Sequence, residues 1–454
     1  MSTQPHRSAA GELLGQLRDD LDTKELSQTQ LEEALGKLKV QGRDVHNVSA
    51  IYDEAGVKIL GTYAFGDYSS SIRQEASRCL ANALLLLPET RQYSIRLGLD
   101  KQATDALAKA NADEEFLLAR ILFLLTYDPQ IDLPTLLSEH KLAESITRHL
   151  SRHADEFEAP RTMGPDSPAL SETLKLLFNV TSGAPGQRSL FSSATASLFK
   201  ILSFTPIPSP PLQPPISLIV NALANLEFEA ESLEKDPNVV AGVNKLIDLL
   251  GSALRKYSPA ELETGAIALI TALRHINEKA STDLRERLKA RLLPDDKERD
   301  QPLGKSSSLA SQLLRLTTST GLVNLSEAIS ALMFELSDKD ASQYVHNVGY
   351  GYAAGYLMTH KIPIPENAKK IEAEHDGESS QQAPVNPITG QRLDAEPAPN
   401  VPKMTPEEAE REAERLFVLF ERLNATGVVN VKNPVQQAME EGRFEELSDS
   451  DDSN

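Results

Sequence analysis

From Ala9 to about His360, apolar residues recur at spacings of three and four, interrupted by short breaks rich in Pro, Gly, Asp and Ser. This spacing follows the 3.6-residue turn, and strand-like alternation is nearly absent, so the chain is confined to an all-α fold. The clearest helical stretches are around Gln30–Lys39, Ile72–Leu87, Glu114–Tyr127, Leu133–His149, Ser167–Thr181 and Ser189–Leu202. They continue with Ile216–Leu226, Val240–Lys256, Glu261–Lys279, Leu309–Thr318, Ser326–Leu336 and Ala341–Thr359. The breaks EAPRTMGPDSP at 158–168 and TPIPSPPLQPP at 205–215 contain prolines, which remove backbone donors and clash with the preceding turn, so no helix crosses them. A chain of 454 residues exceeds the about 250–300 residues at which single cores stop growing. Helix pairs between short loops answer that limit by stacking, which predicts an irregular armadillo/HEAT-like α-solenoid whose repeats bury their apolar faces against their neighbours.

The pattern divides the chain. Residues 1–360 read as the superhelix. In 361–403 Pro, Glu, Gln and Ser dominate, too little apolar area is present to offset ordering, and the stretch reads as a flexible linker. Residues 404–447 read as C-terminal docking helices. The first is opened by Thr405 as N-cap, Pro406 at the first helical position and Glu408 three residues on, a capping-box arrangement. Its apolar stripe, Leu416, Phe417, Leu419, Phe420 and Leu423, is a docking surface for the solenoid's own end or for a partner. Residues 448–454 form an acidic tail in which Ser448, followed by Asp449, Asp451 and Asp452, suits an acidophilic kinase as well as it suits a merely solvating end.

Aromatics make up 5% of the chain and Trp is absent, so the core must be built from Leu, Ile, Val and Ala. The single cysteine, Cys79, excludes an internal disulfide and a thiolate zinc site and fits a reducing compartment. No apolar run of about 18 residues is present and the N-terminus lacks a secretory core, so the expectation is a cytoplasmic monomer without an integral membrane segment. A formal charge of −20 disfavours nucleic acid as a partner, because phosphate binding needs a basic surface. Residues 361–454 hold 10 basic and 20 acidic side chains, so half of that excess (10 − 20 = −10) lies in the tail region.

Asparagine is a poor helix former, yet Asn82 in CLANAL, Asn179 in LLFNVT, and Asn221 and Asn225 in VNALANL interrupt apolar helical runs. Such amides must satisfy two donors and an acceptor. They can project from each repeat toward a bound peptide backbone, or bond to a neighbouring loop within the solenoid. Recurrence favours the first. Arg78, Arg120, Lys175 and Arg315 lie on or beside the same helices and can pair with a partner's terminal carboxylate or acidic side chains. Intramolecular pairs are the alternative.

No chemistry-bearing motif survives inspection. GYGYAAG at 349–355 lacks the preceding strand of a dinucleotide loop and reads as a tight turn or close helix packing. GKSS at 304–307 has Arg299 where a phosphate loop needs its leading glycine. The histidines form no HExxH pair, and no catalytic site, metal site or cofactor is indicated. The chain reads as a binding protein and not as an enzyme.

The segments EASRCLANAL (75–84), LLARILFLLT (117–126), ETLKLLFNVT (172–181), VNALANL (220–226), GVNKLIDLL (242–250), YVHNVGYGYAAGYL (344–357), NPITG (386–390) and PNVPKMTPEEAEREAERLFVLFERL (399–423) follow one another in a familiar order. The chain resembles the synembryn family, non-receptor guanine nucleotide exchange factors and folding chaperones of heterotrimeric G-protein α subunits, with a pattern similar to fungal members. The resemblance implies a superhelix that binds the α subunit's C-terminal helix in a concave groove and stabilises the nucleotide-free state. It implies recruitment to the plasma membrane only through that partner. It carries a peptide-binding role onto Asn82, Phe178, Asn179, Asn225 and Arg315, and membership of the docking helix onto Phe417 and Phe420. The alternative is an armadillo-type scaffold or transport adaptor for extended peptides, although regular repeats and groove tryptophans are missing.

Overall fold

In the computed structural model, the described residues are 9–44, 48–158, 167–230, 233, 236–363, 385–386, 388–396, 405, 408, 411–415 and 417–418. They are helical almost throughout; the sole β pairing among them is an isolated antiparallel bridge between Val385 and Arg392. Two compact units are distinguished, Met1–Ala395 and Glu396–Asn454.

The first unit is two parallel rows of stacked helices. One row runs Gln28–Gln41, Ser70–Leu86, Ala112–Leu125, Pro168–Gly183, Ile216–Asn225, Ile267–Lys279 and Val323–Leu336, each helix packing on the next. The other runs Ala9–Thr23, Glu54–Phe65, Leu99–Leu107, Leu142–Glu158, Ala194–Phe204, Pro237–Lys256 and Thr282–Leu292. Successive helices alternate between rows, so each repeat closes its core against its neighbours, which is the predicted α-solenoid. Local chemistry starts the helices. Asn111 accepts from the backbone N–H of Asp113 and Glu114 while Glu114 reaches back to the cap, and Ser167 caps a helix whose first residue is Pro168. Leu, Ile, Val and Ala fill the space between rows, with Tyr52, Tyr63, Tyr344, Phe191 and Phe199 as the large fully buried rings. The Tyr63 hydroxyl donates to the Leu17 carbonyl at 2.8 Å and the Asp20 carboxylate at 2.9 Å, and so satisfies itself in the N-terminal core.

Four stretches read as single helices are split, Ser189–Leu202 among them, where a 3-10 helix ending at Phe191 gives way to Ala194–Phe204. Leu133–His149 divides into Leu133–Ser138 and Leu142–Glu158, with Lys141 between them in the left-handed region (φ +56°). Glu261–Lys279 divides at Ala266, and Ala341–Thr359 at Gly349, whose φ of +82° makes the turn inside GYGYAAG. Helical periodicity carries across breaks of one to three residues, so spacing could not locate these corners.

Packing between neighbouring helices of the second row is close enough to exclude a methyl group at Gly242. A Cβ there would lie 2.6 Å from Cδ1 of Phe199, which is fully buried. Gly242→Ala is therefore expected to destabilise by about 1–3 kcal/mol through overpacking. Urea unfolding checks this; an unchanged midpoint would mean that the Phe199 ring moves aside freely.

Candidate partner-binding face

The asparagines form a repeated geometry at the C-terminal ends of the first-named row. Asn82 Nδ2 donates to the Lys39 carbonyl at 3.2 Å, in the last turn of the preceding helix of the row. Asn179 Nδ2 donates to Thr126 Oγ1 at 2.7 Å, at the cap of the helix before it. Asn225 Nδ2 donates to Ser182 Oγ at 2.6 Å and to the Phe178 carbonyl at 3.4 Å. Each amide thus ties one helix to the end of its predecessor, where carbonyls and capping hydroxyls lack helical partners. The internal alternative accounts for these N–H groups. All three residues remain half-buried, and no described group donates to their amide oxygens. The side chain of Asn221, one turn before Asn225, makes no hydrogen bond among the described residues. Sequence reading missed Asn347, whose Nδ2 donates to Ser337 Oγ at 2.9 Å in the same manner. Its setting, YVHNVGYG, is less apolar, so the residue did not stand out.

Beside the amides, large apolar side chains stay in solvent at the same helix ends. Val40, Leu85, Tyr127 and Phe178 are exposed at 63%, 50%, 56% and 37% at the ends of successive helices of the row, Tyr127 just past the cap of Ala112–Leu125. Recurrence at one end of stacked helices distinguishes them from singly scattered surface residues. Phe123 meets Tyr127 edge-on at 5.3 Å, with Lys175 over the Phe123 ring and Arg91 over the Tyr127 ring. Of these apolar residues only Phe178 was anticipated.

The cations are paired, yet in excess. Glu75 accepts from Lys39 and Arg78, each at 2.6 Å. Glu172 accepts from Arg120 at 3.2 Å and Lys175 at 2.8 Å. Two cations per carboxylate leave a positive charge at each cluster, on a chain whose total is −20. Arg315 is not brought to this row. It sits on Leu309–Thr317 and donates to the Gly304 and Ser306 carbonyls at 2.6 and 2.9 Å, pinning its own loop. Phe417 is 36% exposed on the second unit's helix, while Phe420 and Ser448 lie outside the described residues.

Burial pushes the Cys79 thiol up to about 12, against the lesser pull of Lys39 and Arg78, so it is not a nucleophile at neutral pH. Among the described residues, no group of three His, Cys, Asp or Glu is placed to hold a metal ion, and no helix is long and apolar enough to cross a membrane.

A family profile described as guanine nucleotide exchange factor synembryn matches residues 34–443. The chain belongs to that family. Among its relatives, the protein Chaperone Ric-8A of Gallus gallus is 24% identical over 445 residues, covering 87% of this chain and 81% of that one. Chaperone Ric-8A of Xenopus laevis is 23% identical, over 87% and 81%. A synembryn-like chaperone of Schizosaccharomyces pombe is 31% identical over a shorter stretch, 35% of this chain and 32% of that protein. The synembryn match runs from within Gln28–Gln41 through the remaining helices of both rows and beyond them, so the asparagine face lies inside the matched region.

Proposed function

We propose that this synembryn-family chain is a guanine nucleotide exchange factor and folding chaperone for heterotrimeric G-protein α subunits. It binds the α subunit's C-terminal helix along the asparagine face and stabilises the nucleotide-free state, acting in the cytoplasm, as a monomer, without a cofactor. The observation that carries this reading is the coincidence, on consecutive helices of one row, of half-exposed amides, exposed apolar side chains and surplus positive charge. A helix docking there finds apolar contacts for one stripe, amide oxygens for polar side chains, and cations for the negative end of its dipole and its terminal carboxylate. The internal N–H bonds of Asn82, Asn179 and Asn225 hold each carboxamide in one orientation, so a partner meets a surface that is already ordered.

Release of GDP then needs no catalytic group. A protein that binds the nucleotide-free conformer more tightly than the loaded one shifts the population toward it, and each tenfold of preference is about 1.4 kcal/mol. The same preference holds a newly made α subunit before it acquires nucleotide.

The deciding experiment mixes the purified chain with GDP-loaded α subunit and follows nucleotide release and complex formation by gel filtration. Unchanged release with no stable nucleotide-free complex removes the reading and leaves the adaptor alternative. At residue level, Asn179→Ala is expected to weaken binding of the α subunit about tenfold while costing only about 1 kcal/mol of stability for its bond to Thr126. A binding loss that merely tracks unfolding, seen by circular dichroism, would mark the amide as wholly internal.

A further inference from the structure

The charge clusters of the asparagine face are two copies of one module. In the first copy Glu75, Arg78, Asn82 and Arg91 follow one another along the chain. In the second, Glu172, Lys175, Asn179 and Arg188 stand 97 residues on in every case (172 − 75 = 97). The geometry repeats with the sequence. Each carboxylate accepts from the cation three residues ahead, Arg78 at 2.6 Å or Lys175 at 2.8 Å. Each also accepts from a cation on the preceding helix of the row, Lys39 at 2.6 Å or Arg120 at 3.2 Å. Each asparagine ties its helix to the end of the one before it. Each arginine donates from Nε to the carbonyl seven residues back, Leu84 at 3.0 Å or Thr181 at 2.9 Å, and so closes the C-terminus of the helix.

A third copy separates the parts that stacking needs from those it does not. After Ile267–Lys279 the arginine recurs as Arg285, again 97 residues on (285 − 188 = 97), and donates to the Asn277 and Ala280 carbonyls at 3.4 and 3.3 Å. The charge set does not recur: this helix opens IALITAL, without a carboxylate or a cation. It packs between its neighbours of the row as the other two do, with Leu269, Ile270 and Leu273 fully buried. The helix-end arginine therefore belongs to the repeat, whereas a carboxylate held by two cations is dispensable for the fold.

We infer that the two modules are equivalent subsites, each taking one carboxylate of the bound helix, so that the partner segment carries an acidic side chain at a set distance from its terminal carboxylate. The inference rests on the function proposed above and names what its surplus charge selects. At each module one incoming carboxylate balances two cations that share a single anion, and those cations, 23–40% exposed, are open to it. The modules lie two helices apart in the row, on Ser70–Leu86 and Pro168–Gly183, with Ala112–Leu125 between them. Helix axes pack about 8–10 Å apart, which separates the modules by about 16–20 Å. At about 1.5 Å per residue, a helix laid along the row spans that distance in about 11–13 residues.

The test uses the full chain and titration calorimetry at low salt, where partly exposed charges are least screened. The probe is the α subunit's C-terminal peptide with a glutamate placed about 12 residues before its free carboxylate. Arg78→Gln and Lys175→Gln each remove the surplus cation and leave the carboxylate one partner. Each is expected to weaken binding about fivefold. One of the two should lose nothing more when the peptide's terminus is amidated, and the other nothing more when the glutamate becomes glutamine. Moving the glutamate to about 5 residues before the end should cost as much as removing it. Arg73→Gln, which breaks a one-to-one pair with Glu114 near the start of Ser70–Leu86, should leave affinity unchanged. Coupling of both variants to the same carboxylate, or indifference to where the glutamate stands, overturns the inference. A chain that binds neither the peptide nor whole α subunit overturns the proposed function together with the subsites; one that binds both without this coupling overturns the subsites alone.

Discussion

Glu115→Ala is expected to cost about 3–5 kcal/mol of stability, because it removes a fully buried carboxylate and leaves the groups turned toward it without their acceptor, Glu156 answering only Arg152 and His153 at the cluster's edge. Glu115 lies in the first turn of Ala112–Leu125 and is contacted from two further helices. Thr173 Oγ1 donates to it at 2.6 Å, His153 Nε2 lies at 3.1 Å, His149 Nδ1 at 3.3 Å, and the Arg152 guanidinium completes the set. The cluster therefore joins both rows inside the repeat that carries Arg120 and Asn179. Burial by itself would raise the carboxyl's pKa, yet the hydrogen bonds from His149, His153 and Thr173 outweigh it and hold the group well below the usual carboxylate range. A carboxyl depressed on folding binds more protons when unfolded, so its contribution is complete above the unfolded value of about 4.3 and is lost as pH falls through and below it. Unfolding in urea at neutral pH checks the magnitude, and a loss under about 1 kcal/mol would show that the cluster is not a dry one. Melting curves from pH 6 to pH 3 check the sign: the wild-type chain should lose stability over that window faster than Glu115→Gln, whose side chain cannot titrate.

Phe178→Ala combined with Tyr127→Ala is expected to weaken α-subunit binding by at least about thirtyfold, the loss of one desolvated aromatic anchor of about 2 kcal/mol, and by more as far as the two losses add. Both rings are exposed, so the free protein should keep its stability within about 0.5 kcal/mol. Phe204 supplies the control. It is 49% exposed, but ends Ala194–Phe204 in the opposite row, and Phe204→Ala should leave affinity unchanged. Titration calorimetry with the α subunit's C-terminal peptide measures all three changes. Equal losses from the Phe204 variant and the double variant would move the binding surface away from the asparagine face.

How much of this could be read in advance follows from the range of each interaction. Helix after helix from Ala9 was legible because a 3.6-residue period, a proline-rich break and a cap such as Ser167–Pro168 are properties of a few adjacent residues. The asparagines were legible as misfits in apolar runs for the same reason. Where their N–H groups go was not, because Asn179 and Thr126 are 53 residues apart and meet only when one helix stacks on another.

The sequence by itself determined that the chain is a stack of helices with unusual amides, and, through the order of its segments, its membership of the synembryn family. Tertiary structure alone decided the rest. Glu115 stands in NADEEFLLAR as one more helix-starting acid, and Arg299 in DDKERD as one more surface charge, until neighbouring helices and the NPITG turn close over them. The physical reason is that periodicity and capping are local, whereas burial, the partner of a charge and the seat of a turn depend on segments tens of residues distant in the chain.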